Sequence, residues 1–383
     1  MDCLELAQKM IAMDSVTSRP NLEIAGFMRA QLESLKFEIE QHEYVDGHGL
    51  NKIALVGRRR APPSSQADDN RGGIVYCCHN DVVSVEGWDA PAGGPFDGVV
   101  AEGKLWGRGA CDMKGSAAAA LSAIAKIPVD RQRSAIYFLV TGDEESGMQG
   151  ATVVAKNSNF FQEMVASGTV GVIGEPTELR IVNSHKGGCH IQVTSRGIAA
   201  HSSTVDGRNA NWALIPFLFY LREQFSRSES DPNLRNESFF PSTLSMNVVL
   251  KNEPAASNIT VGKATCHIFL RPMPDTQWYE FAEEIVAQAI QMGLIVSPIT
   301  RFDPLHTASD SPFLLQAMSL LGQSRPDAVC YATDGCCLSA LTELLVLGPG
   351  SIEQAHRSDE WISLEQLRRG EEVYEQLFRQ FAC

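Results

Sequence analysis

Short apolar runs alternate along the chain with stretches in which apolar residues recur at helical spacing. The runs at 74–78, 135–140 and 170–173 are rich in β-branched and aromatic residues, which is typical of strands buried on both faces of a parallel sheet. Residues 115–127 are Ala-rich and end before Pro128, which indicates a helix. This alternation predicts an α/β fold with a mixed, largely parallel sheet between helices.

Between 183 and 293 the pattern changes to strands that alternate apolar and polar residues, interspersed with two helices. The predicted strands are 190–196, 243–250 and 264–271, and the predicted helices are 209–225 and 278–291. This order predicts a small α+β, ferredoxin-like domain at 183–293, inserted into a larger domain made of 1–182 and 294–383. A chain of 383 residues also favours two domains.

The charge balance argues against nucleic acid as a partner. The chain has 32 Lys and Arg against 46 Asp and Glu, a net charge of −14, and so lacks a basic footprint. No stretch approaches the ~20 apolar residues that span a bilayer, and the N-terminus has no signal-peptide pattern. We therefore expect a cytoplasmic protein without a membrane partner. The ten Cys show no CxxC spacing, so free thiols are expected rather than a zinc finger.

Residues 58–73 begin with three consecutive arginines and continue with Pro, Ser, Asp and Gly. Such a composition is typical of a turn-rich connection between strands. An anion-binding patch is the alternative, but the sequence favours a solvated loop.

Side chains that can bind a metal follow the three apolar runs. His79 and Asp81 follow the first, Glu144 and Glu145 the second, and Glu175 the third. Ligands of an open α/β sheet collect at the carboxyl ends of its strands, so these side chains predict one shared site. Alternate residues of an extended segment point the same way, so the Asp81 side chain is placed to hold the second ring nitrogen of His79. Taken singly, each residue also fits an ordinary strand-end turn.

Two further residues complete a metal-ligand set. Asp112 lies between glycines just before the predicted helix, where a helix N-cap is the alternative role. His356 follows a fourth apolar run, 344–347, and a Gly/Pro turn. Two imidazoles with three or four carboxylates suit Zn²⁺, with Co²⁺ or Mn²⁺ as substitutes, and two such ions can share a carboxylate.

Over nearly its whole length the chain resembles the acetylornithine deacetylase and succinyl-diaminopimelate desuccinylase family of co-catalytic zinc hydrolases. The motifs that carry the resemblance are HNDVV at 79–83, GRGACDMKG at 107–115, DEE at 143–145, GEPT at 174–177, HKGG at 185–188, HSS at 201–203, RPMP at 271–274 and GPGSIEQAH at 348–356. The segments around 175–177, 185–187 and 348–351 look most like acetylornithine deacetylases.

The resemblance implies a zinc-exopeptidase-like catalytic domain with two Zn²⁺ per subunit, and an inserted dimerisation domain. His79 and Glu175 would bind one ion, Glu145 and His356 the other, and Asp112 would bridge both. The implied activity is hydrolysis of an N-acyl-L-amino acid by an activated water, with N-acetylornithine as the leading substrate, a reaction of arginine biosynthesis.

The resemblance also assigns roles beyond the metal ligands. Asp81 would orient His79, and Glu144 would be the general base. His201 would reach the developing oxyanion from the partner subunit of a homodimer, although a surface turn is its alternative. Asn258 and Arg271 would hold the substrate carboxylate, although a structural ion pair is the alternative for Arg271.

The chain departs from the family pattern at places that bear on the substrate. Residues 204–209 are one residue shorter than the usual segment, and 331–337 replace a threonine-glutamate-alanine segment near the substrate side chain. Succinyl-diaminopimelate, N-acetylcitrulline and dipeptides therefore remain alternative substrates. An inactive metal-binding or scaffold protein is the alternative from another class.

Overall fold

The computed structural model describes residues 2–62 and 72–383. The chain forms two compact units. The first comprises Met1–Ser184, His306–Asp327 and Thr333–Cys383, and the second comprises His185–Leu305 and Ala328–Ala332.

The described residues form helices whose bounds are α1 Cys3–Ile11, α2 Leu22–Ser34, α3 Lys114–Ala125, α4 Gln149–Asn157, α5 Asn159–Ser167, α6 Asn211–Ser230, α7 Trp278–Gln291, α8 Pro312–Leu321 and α9 Leu364–Ala382. In this part of the chain, no helix combines the length and the apolar character that crossing a bilayer requires.

The strands, in chain order, are β1 Glu38–Val45, β2 Asn51–Arg59, β3 Ile74–His79, β4 Val99–Ala101, β5 Lys104–Trp106, β6 Ile136–Thr141, β7 Val170–Ile173, β8 Val182–His185, β9 Gly188–Arg196, β10 Ser245–Glu253, β11 Lys263–Arg271, β12 Ile295–Val296, β13 Thr300–Phe302, β14 Leu305–His306, β15 Asp327–Val329, β16 Leu344–Val346 and β17 Trp361–Ser363.

The main sheet of the first unit has the order β1-β2-β6-β3-β7-β16-β8. Its central strands β6, β3, β7 and β16 are parallel, whereas β1–β2, β2–β6 and β16–β8 pair antiparallel. His79 pairs with Thr141, and Val346 pairs with Ile173. The carboxyl ends of the parallel strands therefore meet at one edge, and the predicted mixed, largely parallel sheet is confirmed.

Helices pack against this sheet. Its central strands are continuous apolar runs because they are buried. β3 and β6 are buried at every position, as expected for strands covered on both faces. α3 contacts β3, α1 and α9 and is buried from Lys114 to Ile124. Its many alanines allow this close packing, because their small side chains keep neighbouring elements near the helix axis.

The prediction of a solvated loop beginning at Arg58 was wrong for its first residues. Arg58 and Arg59 end strand β2 and are buried, with 7% and 3% of their surface exposed. Arg58 forms ion pairs with Glu38 and Glu163, and Arg59 donates to Gln132 Oε1 at 2.9 Å. Burial is tolerated because both guanidinium groups find acceptors. Residues 63–71 of the predicted loop lie outside the described residues.

The second unit has an α+β architecture and its own hydrophobic core. Its antiparallel sheet has the order β10-β11-β9, and β12 and β13 also pair with β9. Because of those two short strands, the unit extends beyond residue 293 to Leu305. Its core joins alternate residues of β9 and β11 to α6 and α7: Cys189, Ile191, Val193, Cys266, Ile268, Leu270, Leu214, Phe217, Phe281 and Ile285.

Candidate metal centre

The carboxyl edge of the main sheet collects the side chains that the sequence singled out. β3 ends at His79, and the turn after β6 carries Glu144 and Glu145. Glu175 follows the end of β7, and His356 lies in the loop after β16. All of these residues belong to the first unit.

Asp112 lies between the two histidines and presents one oxygen to each. Its Oδ1 is 3.0 Å from His79 Nε2, and its Oδ2 is 3.5 Å from His356 Nε2. His79 Nε2 is also 3.5 Å from Glu175 Oε1, and His356 Nε2 is 2.9 Å from Glu145 Oε2. The five side chains therefore form two imidazole–carboxylate groups that share the Asp112 carboxylate.

The cluster is buried on one side and open on the other. His79, Asp112 and Glu175 expose 2%, 6% and 5% of their surface, whereas 58% of the His356 side chain is exposed. His356 has a φ of 63°, a left-handed conformation that costs a non-Gly residue free energy and is concentrated at functional sites. His356 thus lies at the accessible side of the cluster.

Burial of several carboxylates in one place perturbs their protonation. Burial raises the pKa of Glu175 to about 7, and the nearby Asp112 carboxylate adds to this effect. Burial also raises the pKa of Glu145. Hydrogen bonds to Asp112 and then Glu145 raise the pKa of His356 to about 10. Carboxylates outnumber imidazoles, so the cluster favours additional positive charge.

The donor set fits divalent metal ions. His79, Asp112 and Glu145 each offer a ligand atom, and these atoms lie within 4.8 Å of one another. Glu175 and His356 add a third carboxylate and a second imidazole next to them. Mixed N/O ligands suit Zn²⁺, Mn²⁺ or Co²⁺.

Asp81 contacts different groups from those that its spacing suggested. His79 Nδ1 lies 3.0 Å from the carbonyl oxygen of Asp81, whereas Asp81 Oδ1 is 3.7 Å away. The Asp81 carboxylate instead accepts hydrogen bonds from Thr17 Oγ1 at 2.8 Å and from the N–H groups of Glu144 and Glu145 at 3.3 Å each. Asp81 therefore links His79, through its backbone, to the turn that carries both glutamates.

The same turn is anchored by a buried ion pair that sequence analysis missed. Asp143 has a φ of 62°, and its Oδ1 is 2.7 Å from Lys52 Nζ, with 2% and 0% of the two side chains exposed. Lys52 also donates to the carbonyl oxygen of Thr17 at 2.7 Å. Nothing in the local sequence around Lys52 or Asp143 indicated that the two would pair.

Asp334 is a second residue that the sequence did not single out, although its segment, 331–337, was noted. It exposes 3% of its surface and accepts a hydrogen bond from Thr141, the last residue of β6. Burial raises the pKa of Asp334 to about 6. Asp334 therefore lies at the carboxyl end of β6, which leads into the turn with Glu144.

The remaining predicted residues belong to the second unit. The exposed His201 has its Nδ1 2.7 Å from Ser203 Oγ, and Asn258 accepts a hydrogen bond from the N–H of Ser202 at 3.0 Å. Arg271 ends β11, with its guanidinium 4.9 Å from the centre of the Phe269 ring. Among the described residues we find no ion pair between Arg271 and an acidic side chain, so the structure gives no support to a structural ion pair there.

Glu175 is placed by a tightly packed strand end, which leads to a stability prediction. A Cβ on the preceding Gly174 would lie 2.1 Å from Tyr76 Oη and 2.5 Å from Ser116 Oγ, and these two hydroxyls are bonded to each other at 2.8 Å. We expect Gly174→Ala to destabilise the metal-free protein by about 1–3 kcal/mol, as overpacking typically does.

The measurement is the urea unfolding midpoint of metal-free protein. Gly26→Ala is the matched control, because nothing lies within 4 Å of a Cβ at that helical position, and the change should be neutral or slightly stabilising. Equal midpoints for Gly174→Ala and the unsubstituted protein would contradict the prediction, because they would show that Tyr76 and Ser116 can shift to accommodate the added methyl group.

Known proteins match this chain along nearly its whole length. The chain is 29% identical to the acetylornithine deacetylase of Proteus mirabilis over 99% of this chain and 96% of that protein. It is 27% identical to that of Myxococcus xanthus over 95% and 93%. These matches confirm the resemblance drawn from the motifs.

Solved structures share the fold at lower identity. An M20 family metallo-carboxypeptidase, Sso-CP2 from Sulfolobus solfataricus, superimposes with a TM-score of 0.72 at 15% identity, covering 100% of this chain and 99% of that one. The aminopeptidase PepT of Bacillus cereus gives 0.69 at 17%, covering 99% and 98%. The sequence model of peptidase family M20/M25/M40 matches residues 76–380, and the chain therefore belongs to this family of amide-bond hydrolases.

Proposed function

We propose that this protein is a two-metal amidohydrolase that removes the acyl group from an N-acyl-L-amino acid, with N-acetylornithine as the leading substrate. The observation that carries the proposal is the Asp112 carboxylate between His79 and His356, with one oxygen facing each imidazole. The names of the relatives that match along nearly the whole chain support the substrate.

In this proposal, His79 and Glu175 hold one ion, Glu145 and His356 hold the other, and Asp112 contributes to both. Zn²⁺ is the expected ion, with Co²⁺ or Mn²⁺ as substitutes. Divalent ions at such a site lower the pKa of a bound water and polarise a carbonyl oxygen. The residue contacts support this division, because each histidine already lies against its own glutamate.

Glu144 is the proposed general base. Its backbone N–H donates to the Asp81 carboxylate, as does that of Glu145, so one anchored turn carries both glutamates. Burial raises the pKa of Glu144 well above its usual value, and the Glu175, Asp334 and Glu145 carboxylates add to the effect. A carboxylate with a raised pKa is a better proton acceptor, suited to take a proton from the attacking water and deliver it to the leaving amine.

Asn258 and Arg271 are the proposed contacts of the substrate carboxylate. Arg is the natural bidentate partner of a carboxylate. Arg271 is half-buried and stacks on Phe269, which keeps its guanidinium in a defined position. His201 is proposed to stabilise the developing oxyanion.

The test combines metal analysis with a hydrolysis panel. Protein loaded with zinc is assayed on N-acetylornithine, N-succinyl-diaminopimelate, N-acetylcitrulline and dipeptides, and the substrates are ranked by kcat/KM. We expect N-acetylornithine to rank first. If another substrate ranks first, the protein is an amidohydrolase of the same family with a different substrate specificity. Release of no amine from any of them by protein with two metals per chain would overturn the proposal in favour of an inactive homologue.

We further propose a homodimer, because the second unit carries a large exposed apolar surface. β10 is the edge strand of its sheet, and Val249 and Leu250 on it are each 54% exposed. On α6, Trp212 and Phe219 are 73% and 62% exposed. A groove of about 410 Å³ lies between α6 and β10. It is lined by Leu218, Leu221, Arg222, Phe225, Met246, Val248 and Leu250. An exposed apolar edge strand beside an apolar helix favours pairing with a second copy.

A charge on this surface should separate the subunits. Phe219→Glu is expected to convert the dimer to a monomer at micromolar concentration, because a carboxylate would be buried without a partner. Analytical ultracentrifugation gives the mass. Leu315→Glu is the control, since Leu315 is 48% exposed on α8 of the first unit. A Phe219→Glu protein that sediments like the unsubstituted one would contradict this interface.

Mixing variants tests whether His201 acts across the dimer. His201→Ala and Glu144→Gln should each be nearly inactive alone, and exchange of subunits should restore part of the activity, because one site per mixed dimer would combine intact residues of both chains. Hydrolysis is measured after exchange has been verified by mass. If exchange occurs without any gain in activity, His201 acts within its own chain.

A further inference from the structure

Glu360 is a fully buried acid, 0% exposed, in the segment that follows His356. Its carboxylate is saturated with donors. Oε1 accepts the N–H groups of Cys111 at 2.8 Å and Asp112 at 3.0 Å. Oε2 accepts the N–H of Gly109 at 3.0 Å and Arg108 Nη1 at 2.7 Å.

These donors belong to the loop that carries Asp112. The loop precedes α3, which begins at Lys114, so its N–H groups have no helix or strand ladder to satisfy them. A buried N–H without a partner costs about 1–3 kcal/mol. The carbonyl oxygen of Glu360 also accepts the N–H of Gly107 at 3.1 Å. Glu360 therefore accepts four of the loop's N–H groups, those of Gly107, Gly109, Cys111 and Asp112.

The same short segment supplies a metal-ligand candidate and this anchor. His356 faces Asp112 Oδ2 at 3.5 Å, and Glu360, four positions later in the chain, bonds the Asp112 backbone. Placing another acid beside the three carboxylates of the cluster is electrostatically unfavourable, and the Arg108 guanidinium offsets only part of this repulsion. An acid at this position is better explained by the loop conformation that it imposes than by stability alone.

We propose that Glu360 is a positioning residue that holds Asp112 between His79 and His356 and thereby sets the affinity of the site for its metal ions. The inference rests on the proposed two-metal function. It assigns Glu360 no contact with substrate. Residues that orient metal ligands typically contribute 10–100-fold to metal affinity.

Zn²⁺ affinity of the metal-free full chain, measured by competition with a chelator, tests this. Glu360→Gln keeps the size of the side chain but turns an NH₂ group towards N–H donors. We expect the dissociation constant of the more weakly bound Zn²⁺ to rise about 10–100-fold. The circular dichroism spectrum should be unchanged. Asp359→Asn is the matched control, because Asp359 is the neighbouring acid and pairs with the half-exposed Arg357; its affinity should not change. Unchanged affinity in a folded Glu360→Gln protein would overturn the proposal.

A second comparison separates positioning from a general structural role. In an Asp112→Asn background, Glu360→Gln should weaken Zn²⁺ binding much less than in the unsubstituted protein, since the two residues act through the same ligand. Equal losses in both backgrounds would contradict the proposal. If Glu360→Gln does not fold, Arg108→Lys loosens the same carboxylate, and its Zn²⁺ affinity must fall for the proposal to stand. This experiment measures metal binding and uses no substrate. Its outcome can therefore be interpreted even if the hydrolysis panel finds no activity.

Discussion

Glu144→Gln should retain its metal and lose turnover by about 10²–10⁴-fold, the usual contribution of a general base. The amide is nearly the same size as the carboxylate but cannot accept a proton from water. Its backbone contacts to Asp81 are unaffected, so the turn should keep its shape. The measurement is kcat on the best substrate of the panel, together with metal content per chain.

Glu145→Gln is the matched control for this prediction. The two residues are adjacent, but Glu145 lies 2.9 Å from His356 and is a proposed ligand. Its substitution should therefore lower metal content, whereas Glu144→Gln should not. Near-normal kcat in Glu144→Gln, or loss of metal from it, would show that the roles of the two glutamates are assigned wrongly.

Asp112→Asn is expected to have the largest effect on metal content. Only a carboxylate offers an anionic oxygen to both sides, and the two oxygens of Asp112 face different histidines. We expect no more than one metal per chain after dialysis and a loss of turnover larger than that of Glu144→Gln. Residues that only orient a ligand typically contribute about 10–100-fold to metal affinity. The loss of metal affinity in Asp112→Asn should be larger than this.

Elemental analysis of dialysed protein and single-substrate kinetics measure both effects. Asp97→Asn serves as the control, because the Asp97 carboxylate accepts a hydrogen bond from the N–H of Gly94 in an exposed turn. Two metals per chain in Asp112→Asn would rule out its role as the shared ligand. The site would then consist of two separate imidazole–carboxylate groups.

Much of the candidate site was predictable because strand ends are visible in the sequence. An apolar run that stops marks the edge of a buried strand, and parallel strands bring their ends together. His79, Glu145 and Glu175 could be expected in one place for this reason. His356 required the further assumption that the run at 344–347 joins the same sheet, which its pairing with β7 confirms.

Other parts of the site depend on contacts between residues that are distant in the chain. The sequence contained no signal that Glu360 would meet the loop at 109–112, or that Lys52 would meet Asp143. Both acids are buried with their partners, and a buried pair leaves no periodic pattern. The carboxylate of Asp81 was predicted to hold His79 Nδ1, but the Asp81 carbonyl oxygen is nearer to that nitrogen, at 3.0 Å against 3.7 Å for the carboxylate.

The largely parallel α/β sheet, the change of pattern near 183 and the residue types of the candidate metal-ligand set were predictable from the sequence. These features follow from hydrophobic periodicity and from the chemistry of single side chains. Three features are visible only in the folded chain: Asp112 faces both histidines, Arg58 and Arg59 are buried in a strand, and the Glu360 carboxylate bonds the Asp112 loop. The physical reason is that these outcomes depend on which buried donor meets which acceptor across the fold, and local sequence does not encode that pairing.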